Sequence, residues 1–197
     1  MPYETDRRSF LGWATVGLGA IFSAIFGAPI VAYILDPRHR TGPRSDFKLV
    51  EGVKLDELAV GTPPKQGTVR DTRTDGWTLY PNDVIGRVWV VQIGARPANP
   101  ATATAEAKAA YLVVFTTICP HLGCSVNLNS AGNGFACPCH SATFHVANGD
   151  RATDANPAKR GMDTLEWEFD DSDPDHNRIK VKYQNFVTSI EEKKTIG

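Results

Sequence analysis

Cys119-Pro120-His121-Leu122-Gly123-Cys124 and Cys137-Pro138-Cys139-His140 decide how this chain is read. All four cysteines of the protein lie in these two segments, each segment carrying a histidine and flanked or interrupted by proline or glycine. Proline and glycine build tight turns in which the backbone approaches a ligand closely and neighbouring side chains converge. Isolated cysteines and histidines are core or surface residues, whereas two paired clusters of them form a metal-binding pattern. Zinc is the first generic suggestion, because thiolates and imidazoles make tetrahedral sites. Four cysteines and two histidines are too many for one zinc, however, and neither C-x-H nor C-P-C-H has a zinc-finger spacing. Four cysteines in 197 residues are also too few for a disulfide-built scaffold.

Outward from these loops, residues 46–197 alternate short β-like runs with turn signals, and long amphipathic helical patterns are missing. The runs are Phe47–Leu49, Gly67–Val69, Trp77–Leu79, Arg87–Ile93, Tyr111–Phe115, Leu165–Phe169 and Arg178–Tyr183, the last two with period-two alternation and β-branched or aromatic content. Short strands at this spacing predict an all-β, antiparallel domain, and about 150 residues suffice to bury its core. The alanine-rich stretch Ala95–Ala110 reads as a surface insertion with a short helical turn around Ala103–Ala109. Asp170-Asp171-Ser172-Asp173-Pro174-Asp175 reads as a solvated acidic hairpin turn.

Overall charge is nearly balanced, with 21 Lys and Arg against 22 Asp and Glu. That leaves no basic field for wrapping phosphate backbones, so nucleic-acid binding is not expected. A hydrophobic content of 42% argues against disorder. The average conceals one unlike segment: from Phe10 to Leu35 no residue is charged, and about 20 apolar residues cross a bilayer as a helix. Residues 10–35 are therefore predicted to be a transmembrane anchor, whose glycines and Pro29 a membrane helix tolerates. Ahead of it, Asp6-Arg7-Arg8-Ser9-Phe10-Leu11 resembles the twin-arginine export signal, which carries folded proteins across a bacterial membrane. No small-x-small cleavage site closes the apolar run, so an uncleaved anchor is expected, with residues 1–9 cytoplasmic. The basic residues Arg38, Arg40, Arg44 and Lys48 follow the span, against the ordinary positive-inside count; the export signal is given precedence because that count describes loop insertion. Residues 36–45 are polar, contain two prolines, and read as a flexible tether.

The two cluster loops resemble those of the Rieske iron-sulfur family, in which two cysteines hold one iron of a 2Fe-2S cluster and two histidines hold the other. Residue by residue, the resemblance implies Cys119 and Cys137 as thiolate ligands and His121 and His140 as imidazole ligands. It implies a disulfide between Cys124 and Cys139, as in the quinol-oxidising branch; ring-hydroxylating oxygenases and Rieske ferredoxins generally lack that pair. The fold implied is an antiparallel β-sandwich with an inserted cluster-binding subdomain, occupying residues 46–197 with cluster loops 119–124 and 137–144. A third loop, Ala155–Asp163, is similar to the proline-containing loop that covers the cluster, with Asn156-Pro157-Ala158-Lys159 standing where the family has Gly-Pro-x-Pro. A disulfide needs an oxidising compartment, while the cluster is normally assembled in the cytoplasm. Export after folding, as the twin-arginine-like signal implies, satisfies both.

Neutral imidazoles leave the cluster less negative than four thiolates would and raise its potential. The resemblance implies His140 as hydrogen-bond partner of a quinol in a cytochrome b pocket, with His121 exposed beside it, the two acting as the catalytic pair. Around them Leu122, Gly123, Ser141, Ala142, Phe144 and Pro157 are the expected neighbours of the cluster. High-potential members carry Gly-Ser and then a tyrosine after the second histidine, with hydroxyls that hydrogen-bond sulfur. Here the run is Ser141-Ala142-Thr143-Phe144; Ala142 and Phe144 have no hydroxyl, which predicts a low potential for the family and menaquinol as donor. His145 lies off the ligand pattern. The expected role is the Rieske subunit of a dimeric, multi-subunit cytochrome bc-type quinol oxidoreductase in the bacterial inner membrane. Its cluster domain would lie on the periplasmic face and pass electrons to a c-type cytochrome. The alternatives are the Rieske subunit of an arsenite-oxidase-like molybdoenzyme and a zinc-dependent binding module.

Overall fold

Between Arg87 and Gln92 the run Val88-Trp89-Val90-Val91 is apolar at every position, and a strand of that composition needs two dry faces. A computed structural model of the chain, describing residues 7–35, 46–75 and 78–196, supplies both. Val88 and Val90 point into one core, with Val50, Val69, Leu112, Val114, Leu165, Phe169, Ile179 and Val181. Trp89 and Val91 point into another, with Phe115, Cys119, Val126, Phe135, Cys137 and Phe144. The first core belongs to the base of the domain and the second to the cluster-loop subdomain. One strand thus serves both through the two-residue alternation of its side chains.

The base is a six-stranded antiparallel sheet. Its strands are β1 (Lys48–Glu51), β2 (Lys65–Asp75), β3 (Thr78–Gln92), β4 (Leu112–Thr116), β8 (Trp167–Phe169) and β9 (Ile179–Val181), in the order β4-β3-β2-β1-β9-β8. The sheet is nearly closed: Phe115 bridges Thr164, and the Leu165 N–H donates to the Val114 carbonyl at 2.8 Å, joining β4 to the segment entering β8. Between β4 and β8 the chain forms a separate three-stranded antiparallel sheet from β5 (Asn127–Leu128), β6 (Gly134–Ala136) and β7 (Thr143–His145). This is the inserted subdomain. The indole N–H of Trp89 donates to the Val126 carbonyl at 3.0 Å, and the Phe135 ring lies 5.5 Å from that of Trp89 and 6.0 Å from that of Phe115. Aromatic contacts at such distances add to area burial and stitch the insertion to the base.

Two expectations change in detail. The separate runs around Gly67–Val69 and Arg87–Ile93 belong to one long hairpin, in which β2 and β3 pair from Lys65↔Val90 to Asp75↔Thr78. A register shift after Val69 skips Ile85, and one after Asp71 absorbs Pro81 and Asn82, the latter at φ 55°. Ladder pairing across these bulges keeps the hairpin continuous between runs that read as separate in the sequence. The acidic turn between β8 and β9 is not wholly solvated. Asp170 is buried, and its carboxylate accepts from the Ser172 hydroxyl at 2.7 Å and pairs with Lys180 at 2.9 Å and Arg178 at 3.0 Å. The helical turn in the Ala95–Ala110 insertion forms as α2 (Ala105–Tyr111), capped by the Thr104 hydroxyl accepting the Ala107 N–H at 3.3 Å. Arg96 ties this insertion to the acidic turn by donating to the Asp175 and His176 carbonyls at 2.8 and 2.7 Å.

The N-terminal unit contains α1 (Arg7–Leu35), 29 residues with apolar side chains all round. At 1.5 Å per residue it exceeds the roughly 30 Å of a bilayer core, so it is long and apolar enough to cross a membrane. The Thr15 hydroxyl donates to the Leu11 carbonyl at 2.8 Å, satisfying itself within the helix. Residues 1–6 and the proposed tether, residues 36–45, lie outside the described residues, as do residues 76–77 and 197.

The Ser172 hydrogen bond, and then Lys180, hold the Asp170 carboxyl at about 2 against the opposing effect of burial. A carboxylate depressed on folding stabilises the fold above its unfolded value near 3.8, and that contribution is lost as pH falls through about 2. Denaturant titrations between pH 4 and pH 2 should show wild type losing stability more steeply than Asp170→Asn.

Candidate metal centre

The two cluster loops close by the same backbone pattern. In the first, the Cys119 N–H donates to the Cys124 carbonyl at 2.8 Å and the Gly123 N–H to the Cys119 carbonyl at 2.9 Å. In the second, the Cys137 N–H donates to the Ala142 carbonyl at 2.8 Å and the Ser141 N–H to the Cys137 carbonyl at 3.1 Å. Each turn needs a left-handed residue at the fourth position after its first cysteine: Gly123 at φ 82° and Ser141 at φ 59°. Glycine takes that conformation without cost and serine does not, so the second loop is the strained one.

This closure puts Cys119 and Cys137 at the floor of the site, both reduced and buried. Burial pushes the Cys119 thiol up to about 11; the His121 N–H opposes that, the nearby Cys137 thiol adds to it, and the Leu122 N–H opposes it again. Two neighbouring sulfurs out of water cannot both be thiolates unless a cation joins them. On the same two loops the His121 and His140 rings meet edge to face, centroids 4.7 Å apart. His140 is exposed, whereas His121 is half-buried and its Nδ1 is buried without a hydrogen-bond partner. Cys124 and Cys139 form a disulfide between the two loops, their Cα atoms 6.6 Å apart. Their sulfurs and that of Cys137 lie within 4.8 Å of one another, but two of the three are spent on the disulfide, which leaves Cys137 available to a metal.

These residues sit inside the segment, residues 90–166, that matches the family described as Rieske [2Fe-2S] domain. The menaquinol:cytochrome c reductase iron-sulfur subunit of Bacillus subtilis (strain 168) is 30% identical over 145 residues, covering 72% of this chain and 74% of that one. The chain belongs to the Rieske family. The corresponding subunit of Geobacillus thermodenitrificans is 24% identical over 172 residues, 86% of this chain and 89% of that one. The cytochrome b6-f complex iron-sulfur subunit of Chlorobaculum thiosulfatiphilum is 29% identical over 143 residues, 73% of this chain and 61% of that one.

Membership implies a 2Fe-2S cluster, and the residues fit it. Two buried reduced thiols offer the sulfur donors, two adjacent imidazoles offer nitrogen, and the orphaned Nδ1 of His121 is a buried polar atom that a metal would satisfy. The remaining expected neighbours are arranged around this set. Leu122, next to His121 in the chain, is 56% exposed, Ala142 and Phe144 of the second loop are buried, and Pro157 of the third is half-buried. His145 is exposed on β7.

The third loop is pinned by side chains rather than by a second proline. Asn156 is buried; its amide donates to the Thr143 carbonyl and its Oδ1 accepts the Ala158 N–H at 3.0 Å. Arg160 grips Asp163 with two bonds of 2.9 and 2.8 Å in a buried ion pair, and donates to the Ile190 and Val187 carbonyls, both at 2.7 Å. A C-terminal strap, residues 185–196, is thereby held beside the site. Ser189 on this strap touches the first cluster loop, 68 residues away in sequence. Sequence reasoning singled out neither the ion pair nor Ser189. Arg160 and Asp163 lie three apart in the quoted covering loop, a weak signal, and Ser189 carries none because its partner is set by tertiary packing.

Asp163→Ala leaves the Arg160 guanidinium buried and uncompensated, and should cost about 3 kcal/mol in denaturant unfolding. Replacing both, Arg160→Met with Asp163→Leu, should cost much less, because no buried charge remains.

Proposed function

We propose that this chain is the iron-sulfur subunit of a bacterial quinol:cytochrome c oxidoreductase with menaquinol as donor. The observation that carries this reading is the pairing of the two cluster loops: their imidazoles, His121 and His140, meet edge to face with His140 exposed, and each loop carries one buried, reduced thiol. Relatives that bear the name menaquinol:cytochrome c reductase iron-sulfur subunit support it. Cys119, Cys137, His121 and His140 are the residues that would hold the cluster, the thiolates at one iron and the imidazoles at the other. The cluster, when bound, supplies a one-electron acceptor of relatively high potential.

The protein's own residues do the rest. His140, at the surface, presents its outer ring nitrogen to a quinol hydroxyl in a pocket of the cytochrome b partner and takes the proton as the electron leaves the quinol. Leu122 supplies an apolar rim that keeps water from the contact. The disulfide and the covering loop hold the two cluster loops in register while charge on the site changes. α1 anchors the chain in the inner membrane, with the β domain on the periplasmic face. Residues 36–45, reaching about 30 Å when extended, let the head move from quinol to a c-type haem. Cytochrome b, quinol and a c-type cytochrome are the partners, in a dimeric complex.

Menaquinol is favoured over ubiquinol because Ala142 and Phe144, both buried, have no hydroxyl with which to stabilise the reduced, more negative site. A reduced sample of the purified full-length chain should give the EPR signal of a Rieske cluster and copurify with b- and c-type haem; a colourless, EPR-silent chain overturns the reading. Redox titration should give a midpoint below that of ubiquinol-linked members. Ala142→Ser and Phe144→Tyr should each raise it by about 60 mV, the equivalent of one charge-assisted hydrogen bond on a one-electron couple.

A further inference from the structure

Ser189 stands at φ 65°, a left-handed position that glycine occupies at less cost. Both of its polar groups reach the first cluster loop. Its N–H donates to the Pro120 carbonyl at 2.9 Å and its hydroxyl donates to the His121 carbonyl at 2.5 Å. These carbonyls belong to successive peptide units. Because a peptide is planar and trans, its N–H points opposite its carbonyl; fixing the two carbonyls on the strap side therefore aims the N–H groups of His121 and Leu122 the other way. They follow Cys119 by two and three residues inside the turn that Gly123 closes on the Cys119 carbonyl, so these N–H groups turn toward its side chain, in keeping with their opposing the effect of burial on its thiol. The strap cannot drift from this position, because Arg160, locked to Asp163, holds the carbonyls of Val187 and Ile190 on either side of Ser189.

We infer that Ser189 is a positioning residue for the redox centre: through two adjacent peptide units it aligns and polarises the backbone N–H groups that hydrogen-bond the Cys119 sulfur, and so helps to set the electron affinity of the bound cluster. Donors aimed at a ligand sulfur favour the reduced, more negative state, and a hydrogen bond at the carbonyl end of a peptide strengthens the bond its N–H makes. Ser189 touches neither metal nor quinol. This inference rests on the assignment of Cys119 as a cluster ligand in the proposed function, but not on which quinol or acceptor is used.

Ser189→Gly is the informative variant, since it removes the hydroxyl, keeps the N–H bond to Pro120 and suits the positive φ. In the full-length, cluster-loaded chain in detergent, EPR-monitored redox titration should find electron affinity lowered on the order of tenfold, about 59 mV for one electron. Thermal unfolding should be unchanged or slightly higher. Ser189→Thr, which retains the hydroxyl, should stay near the wild-type midpoint. An unchanged midpoint in Ser189→Gly with an intact signal overturns the inference. If Ser189→Gly assembles no cluster, Ser189→Thr decides: a loaded cluster at the wild-type midpoint supports the hydroxyl's role, and loss of the cluster or a shifted midpoint overturns it. Should menaquinol fail as donor while the Ser189→Gly midpoint falls, the proposed donor is wrong and the positioning role stands. Should the wild-type chain hold no Rieske cluster at all, both readings fall together.

Discussion

Two thiols buried side by side, on two loops whose imidazoles meet edge to face, are the constraint to which the rest of the domain answers. Sulfur and imidazole nitrogen crowded out of water are unfavourable unless a cation binds them, and a flexible chain would relieve the crowding by moving apart. The protein prevents that by closing both loops with the same pair of backbone hydrogen bonds and then joining them through Cys124 and Cys139. The resulting arrangement buries Cys119 and Cys137 but leaves His140 at the surface. The sulfur side of the site is thus buried, and its His140 side is exposed.

Rigidity at the tip depends on the base. Strand β3 carries alternate residues into two separate cores, and Trp89, on the cluster-side face, anchors the insertion through Val126 and Phe135. Because the six-stranded sheet nearly closes on itself through Phe115–Thr164 and Val114–Leu165, the segment leaving the covering loop is fixed at its end. Asp163 sits at that junction: its backbone carbonyl accepts the Thr116 N–H at 2.9 Å, and its carboxylate holds Arg160. One buried ion pair thus connects the sheet, the covering loop and the C-terminal strap. A bidentate Arg–carboxylate pair suits such a junction because it fixes direction as well as distance.

The covering loop and the strap reach comparable ends by different means. With Lys159 in place of a second proline, Asn156 supplies side-chain hydrogen bonds to Thr143 and Ala158, so stiffness comes from bonding rather than from a second pyrrolidine ring. Ser189 accepts an unfavourable backbone angle and offsets it with two hydrogen bonds to the first cluster loop. Ser141, at the corresponding angle in the second loop, makes a similar exchange for the backbone turn it completes. These strained serines lie in the loops and strap around the metal centre, as expected where surrounding structure over-determines the backbone.

Much of this was legible in the residues themselves. The uncharged run from Phe10 to Leu35 determined an apolar helix, because hydrophobicity sustained over that length has no other stable form in a bilayer. The two Cys/His segments determined the family and the cofactor, because ligand chemistry is carried by residue type and close spacing. The β-rich character of the domain followed from two-residue alternation, which is a local property. Tertiary structure alone decided that β2 and β3 run continuously past Pro81, that Asp170 is buried among Ser172, Lys180 and Arg178, and that Arg160, Asp163 and Ser189 belong to the environment of the cluster loops. Each of those outcomes turns on a partner brought near by the fold. The energy of a hydrogen bond or ion pair depends on the geometry and burial of both groups, and sequence distance records neither.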